Sequence, residues 1–203
     1  MRRYMCQFIE TIKLYNSSYL NLEYHQKRVN AAQKEFFGKC NIDIESVLPN
    51  QENYNNGRFK CRIIYGRGVE SISIDSYSIR KIDSLKLMSA NEIEYSYKFF
   101  DREVFDNLKK HIKSSEEILI IKNNFVTDTS YSNIALYKNG IWHTPESYLL
   151  NGTKRQFYLD KGIIKETEIT VDKIVAYEKV CLINSMLDLG EICMDVKNII
   201  LEL

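Results

Sequence analysis

Apolar residues in this chain come in short runs set between turn residues, as in Ile118-Leu119-Ile120-Ile121, with stretches of helical spacing between them. Such runs fit buried strands and fall far short of the roughly 20 residues that a bilayer-spanning helix needs. Strand runs mixed with helices predict an α+β fold. Gln7 to Tyr15 reads as a strand, Asn16-Ser17-Ser18 as a turn, and Glu23 to Phe37 as a helix ending near Gly38. Gly57 to Tyr65 and Val69 to Tyr77 read as a hairpin around Gly66-Arg67-Gly68. Residues 1–79 are therefore expected to form a small N-terminal domain, with a boundary between 80 and 84 and a larger C-terminal domain over 84–203. In the second domain Leu85 to Met88, Ile118 to Ile121, Phe125 to Asp128, Asn133 to Tyr137, Ile141 to His143, Val180 to Asn184 and Gly190 to Met194 read as strands. Helices are expected from Asp101 to about Lys113, with Val104, Phe105, Leu108 and Ile112 at helical spacing, then after Gly152, and over Val171 to Tyr177.

Composition narrows the function classes. Eight glycines and two prolines are about 5% of 203 residues, against a usual share near 12%, which excludes collagen-like and linker-like sequence. Lys and Arg number 28 and Asp and Glu 27, for a formal charge of +1, so no bulk field draws a nucleic-acid backbone and no such partner is expected. Cys6, Cys40, Cys61, Cys181 and Cys193 are scattered without a CxxC, which predicts idle or buried thiols in a reducing cytoplasm. Met1-Arg2-Arg3 leads into no apolar stretch, so neither a signal peptide nor a membrane partner is expected. His25, His111 and His143 lack metal-ligand spacing and read as packing or surface histidines, and no metal is expected. GxSxG, HExxH and GxxxxGK[ST] are absent, and Gly66-Arg67-Gly68-Val69-Glu70-Ser71 stops one residue short of GxGxxG.

Three stretches carry chemistry. In Tyr95-Ser96-Tyr97-Lys98-Phe99-Phe100-Asp101-Arg102 one lysine sits among four aromatics. It reads either as a snorkelling surface lysine or as an amine desolvated by aromatic walls, and a neutral amine is the nucleophile that forms Schiff bases. In Val126-Thr127-Asp128-Thr129-Ser130-Tyr131-Ser132-Asn133-Ile134 an acid lies between strands, either as a solvated turn residue or as the partner of a cationic ring nitrogen. Thr144-Pro145 is followed by Leu149-Leu150-Asn151-Gly152-Thr153-Lys154-Arg155. A glycine ahead of a helix lets backbone N–H groups approach an anion, which the helix dipole also favours, or it is an ordinary cap.

Taken together and in this order, the three stretches resemble the class IV aminotransferases, the pyridoxal 5'-phosphate (PLP) enzymes of fold type IV. That family includes branched-chain and D-amino-acid aminotransferases and 4-amino-4-deoxychorismate lyase. The resemblance begins at Phe8-Ile9-Glu10-Thr11-Ile12, continues through Leu22-Glu23-Tyr24-His25-Gln26-Lys27-Arg28-Val29 and ends around Ile183-Asn184-Ser185. It implies the two-domain fold of that family, with the N-terminal domain shortened at its start. It implies that Lys98 holds PLP and shuttles the substrate proton, and that Asp128, in place of the family's usual glutamate, bonds the pyridine nitrogen. It implies that Arg28 binds the cofactor phosphate, that Gly152 lets Thr153 and Lys154 cup it with their backbone N–H groups, that Ser185 adds a hydroxyl, and that Leu150 lies against the ring. Arg62 and Arg67 are candidate carboxylate binders for a small amino-acid-like substrate, or they pair with surface acids; Thr11 joins them as a candidate. The Lys98 context and Thr11 favour the lyase over a transaminase. A non-catalytic relative of the same fold is the alternative. A homodimer is also implied.

Overall fold

The computed structural model describes residues 6–110 and 112–200, so the readings of Met1-Arg2-Arg3 and of His111 lie outside the described residues. The chain divides into two compact units. The first runs to Ser78 and takes back Tyr97–Asp101; the second holds Ile79–Ser96 and everything from Arg102.

The first unit is a four-stranded antiparallel sheet covered by one long helix. β1 (Phe8–Tyr15) turns through Asn16 and Ser17 into the two-residue β2 (Ser18–Tyr19). Both turn residues have positive φ, at 46° and 57°, the geometry that matches a tight hairpin to strand twist. α1 (Leu22–Phe37) follows and ends at Gly38, whose φ of 72° suits a residue without Cβ and lets its N–H reach the Lys34 carbonyl. The single-turn α2 (Ile44–Val47), capped by Asp43, was not legible in the pattern. β3 (Arg58–Tyr65) and β4 (Val69–Ser76) complete the order β2-β1-β3-β4. Period-two alternation on β1 turns Phe8, Glu10, Ile12 and Leu14 to one face. Phe8 and Ile12 pack there with Val29 and Ala32 of α1 and with Cys61, Ile63 and Tyr65 of β3. Burial of this apolar face is the main force holding helix to sheet.

The second unit contains two sheets. One has the order β13-β5-β6-β7, from β5 (Ser84–Ser89), β6 (Glu116–Lys122), β7 (Phe125–Thr129) and the two-residue β13 (Ile199–Ile200). The other has the order β10-β9-β8-β11-β12, from β8 (Asn133–Lys138), β9 (Ile141–Pro145), β10 (Ile164–Thr167), β11 (Lys179–Ile183) and β12 (Cys193–Asp195). α3 (Glu103–Leu108) precedes β6 and α4 (Thr153–Asp160) precedes β10. Leu85, Leu87, Leu119, Ile121, Ile134, Leu136, Val180 and Leu182 form one continuous core across the strands. The mixed α+β class agrees with what the sequence implied.

Four local expectations are corrected. α3 stops at Leu108 rather than near Lys113, because Phe105 is its one buried residue and Val104 stays exposed. Residues Val171–Ala176 wind as a 3₁₀ turn and not an α-helix. The strand expected from Gly190 begins only at Cys193, after a turn in which Glu191 N bonds the Asp188 carbonyl. Cys181 and Cys193 are not idle thiols: they face each other across β11 and β12 and are joined as a disulfide. Their 12-residue separation hides in sequence what strand pairing makes adjacent.

Candidate active site

In the first unit Lys98 lies outside regular structure but is fixed against β1. Its carbonyl accepts from Ile9 N at 3.0 Å, and Phe100 N donates to the Gln7 carbonyl at 2.9 Å. Of the four flanking aromatics, Tyr97 and Phe99 pack edge-on to Phe36 of α1, at 5.0 and 5.8 Å between centroids. Phe100 remains exposed, and Tyr95 belongs to the second unit, where it packs on Phe105. Lys98 itself is half-buried, between two residues whose rings pack on α1.

Beneath it lies a charge cluster that the pattern of residues only hinted at. Arg28 grips Glu10 side-on, Nε to Oε1 at 2.8 Å and a terminal nitrogen to Oε2 at 2.6 Å. His25 Nδ1 meets the same Oε2 at 2.5 Å. Glu10 and His25 are fully buried. Burial alone would raise the Glu10 carboxyl, but the Arg28 charge and the bonds from His25 and Arg28 outweigh it and hold the group down at about 2. Burial pushes His25 down against the pull of Glu10, and the Arg28 and Lys98 charges add to that push. The neutral ring therefore donates from Nδ1, and its buried Nε2 has no hydrogen-bond partner among the described residues. Arg28, expected to bind phosphate, is thus engaged by a carboxylate. Thr11 and Arg62 stand opposite each other on β1 and β3, on the sheet face away from α1. Arg62 also pairs with Asp75 at 3.4 Å, both largely exposed. Arg67 lies apart, over the ring of Phe37 on α1.

In the second unit several expected residues converge. Asp128, near the end of β7, is buried. Its Oδ1 accepts from Asn133 Nδ2 at 2.8 Å, and its Oδ2 from the backbone N–H groups of Leu149 and Leu150 at 3.1 and 2.9 Å. Burial pushes the carboxyl up to about 6, in spite of those donors and the charge of Arg155. Leu150 enters through its backbone, since its carbonyl also accepts from Asn133 at 2.9 Å. α4 starts directly after Gly152 with no side-chain cap. Thr153 and Lys154 are buried at this uncapped end, where N–H groups and helix dipole together favour an anion. Lys154 Nζ turns away to Asp188 at 2.6 Å, which leaves its backbone for this role. Arg155 is fully buried and is held by the Pro145 carbonyl at 3.1 Å and by Glu166. Ser185 is half-buried in the turn after β11. Its neighbour Asn184 bonds Ser132 Oγ at 3.0 Å and so draws this turn to the Asp128 loop. Arg102 reaches the Ser130 carbonyl at 2.5 Å on the same loop. Among the described residues, no cluster of His, Cys, Asp or Glu could hold a metal ion, and no helix is long and apolar enough to cross a membrane.

The profile of the amino-transferase class IV family matches residues 7–193. A protein of Haemophilus influenzae without an assigned function is 31% identical over 185 residues, which span 90% of this chain and 98% of that one. A crystal structure from Haemophilus somnus, provisionally named 4-amino-4-deoxychorismate lyase, superposes with a TM-score of 0.80 at 29% identity, over 92% of this chain and 99% of that one. A hypothetical aminotransferase from Mycobacterium tuberculosis, bound to α-ketoglutarate and PMP, superposes with a TM-score of 0.79 at 15% identity, over 98% of this chain and 82% of that one.

Proposed function

The chain belongs to the amino-transferase class IV family, and on that premise we propose that it is a PLP-dependent enzyme acting on a small amino-acid-like substrate, with 4-amino-4-deoxychorismate as the first candidate. The observation that carries this reading is the combination, in one unit, of a buried acid and an uncapped, buried helix N-terminus, joined through the 149–152 loop. A pyridinium nitrogen needs the first, and a doubly charged phosphate needs the second. Asp128 fits the ring nitrogen, because an acid whose carboxyl sits near 6 pairs well with a cation entering a dry site. Gly152, Thr153 and Lys154 fit the phosphate through backbone N–H groups, with Ser185 adding a hydroxyl, and Leu150 lines the ring. Arg28 supplies positive charge, shared with Glu10.

When bound, PLP supplies an electron sink for the carbon that bears the substrate nitrogen. The chain's own residues do the rest. Lys98 Nζ would hold the cofactor and, once the substrate nitrogen has displaced it, would take the proton from that carbon. Asp128 keeps the ring nitrogen protonated. Arg62, opposite Thr11 on the β1–β3 pair, is the candidate for a substrate carboxylate; Arg67, set apart over Phe37, is the weaker one. In a lyase the proton transfer would be followed by loss of pyruvate, giving 4-aminobenzoate; in a transaminase Lys98 would return the proton to the cofactor side, and water would release a keto acid while the amino group stays with the cofactor. The lyase is favoured by the context of Lys98 and by the similarity to the lyase-named structure.

The test is a substrate screen of PLP-loaded protein that follows 4-aminobenzoate fluorescence beside keto-acid release. Aminobenzoate formation is the expected result. Keto acid alone would assign a transaminase, and a protein that never acquires a visible PLP band would be the non-catalytic relative.

We also propose a homodimer, as the family resemblance implies, with Phe100, two residues beyond Lys98 and 43% exposed, as a candidate contact residue. Light scattering at micromolar concentration should give about twice the mass of one chain; a monomer that retains PLP and activity overturns the assignment.

A further inference from the structure

Asn133 opens β8 with its side chain buried. Its amide directs one N–H to Asp128 Oδ1 at 2.8 Å and the other to the Leu150 carbonyl at 2.9 Å. The third corner is steric. A Cβ added to Gly152 would lie 1.9 Å from Asn133 Oδ1. Gly152 has an ordinary φ of −69°, so backbone conformation does not demand glycine there; the asparagine does.

We propose that Asn133 is a positioning residue that locks Asp128 to the loop leading into the anion-binding end of α4, and that it thereby sets the ionisation of that acid. This role rests on reading Asp128 and α4 as the ring-nitrogen and phosphate ends of a PLP site. The amide can be oriented only one way. Reversed, its oxygen would face the Asp128 carboxylate and its NH₂ would face Gly152, with both bonds lost. Held as it is, the amide fixes the distance between the acid and the first turn of α4. It also supplies one of three N–H donors that keep the buried carboxylate charged. Among the described residues, the charge that bears on Asp128 is Arg155 of α4, itself paired with Glu166 of β10. Asn133 is thus the neutral member of that environment, and its removal changes ionisation without removing a charge.

The experiment compares four full-length proteins: the native one, Gly152→Ala, Asn133→Ala and the double variant. Two properties are read, the melting temperature without cofactor and the pH midpoint of PLP binding followed by its visible band. Gly152→Ala should lower the melting temperature by several degrees in the native background, or prevent folding. In the Asn133→Ala background it should be nearly neutral, because the opposing oxygen is gone. Asn133→Ala should move the acid limb of PLP binding upward by about one pH unit, and the double variant should share that midpoint. The lock is overturned if Gly152→Ala is equally costly in both backgrounds. The ionisation role is overturned if the midpoint does not move. If the native protein never acquires the band, the PLP reading fails, while the melting temperatures still decide the lock.

Discussion

Lys98→Ala should remove the visible PLP band and lower turnover by about 10³-fold or more, because the same nitrogen both anchors the cofactor and moves the proton. The fold should survive. The hydrogen bond that ties this segment to β1 uses the Lys98 carbonyl, which alanine retains. The aromatic contacts around it belong to Tyr97 and Phe99. Loss of function with an unchanged melting temperature therefore separates a catalytic defect from an unfolded chain. Borohydride reduction of the native protein, followed by mass mapping, should place the cofactor on the peptide that contains Lys98. Two lysines more buried than Lys98 compete for the label. Lys13 lies on β1, and Lys154 is tied to Asp188 at 2.6 Å. A label on either would end the assignment of Lys98.

The elements that periodicity could define were the ones with a clear face. β1 alternates, α1 carries Tyr24, His25, Val29, Ala32 and Gln33 on one side, and β6 is centred on the apolar run Ile118–Ile121. Each was legible because burial imposes the pattern directly. The two-residue β13, the four-residue β10 and the single-turn α2 had no room for a period. The disulfide was hidden for another reason, since Cys181 and Cys193 become neighbours only through the pairing of β11 with β12. The site was legible in residue types and not in partnerships. Asp128, Gly152, Thr153 and Lys154 stood out because an acid between strands and a glycine before a helix have chemical uses. Asn133 reads in sequence only as part of a motif, since nothing in one dimension shows that its oxygen fills the place of a Cβ 19 positions later. Glu10 read as one polar residue on a strand, although the wrong-face signal was present: a carboxylate in register with Phe8 and Ile12 must be buried, and a buried carboxylate needs cations.

That cluster carries the largest stability effect expected in the chain. Glu10→Gln replaces the buried carboxylate that pairs with the guanidinium of Arg28 and meets the imidazole of His25 by a neutral amide. Removing one partner of a buried ion pair costs about 3–5 kcal/mol, which in a chain of this size lowers the melting temperature by roughly 6–20 °C. The effect has a pH signature. In the unfolded chain Glu10 takes up its proton near 4.5, whereas in the folded protein it holds out to about 2. Between those values the unfolded state binds more protons, so the stabilisation is whole above about 4.5 and drains away as pH falls toward about 2. His25 acts in the same direction at higher pH. Its folded value lies below 6.5, so an unfolded chain gains a proton that the buried ring refuses, and stability declines as pH drops through that range. Urea denaturation of the native protein and of Glu10→Gln should therefore show the full gap at pH 7 and roughly half of it at pH 3. A gap of equal size at both pH values would mean that the substitution acts through packing, and that the charge cluster beneath Lys98 does not hold the first unit together.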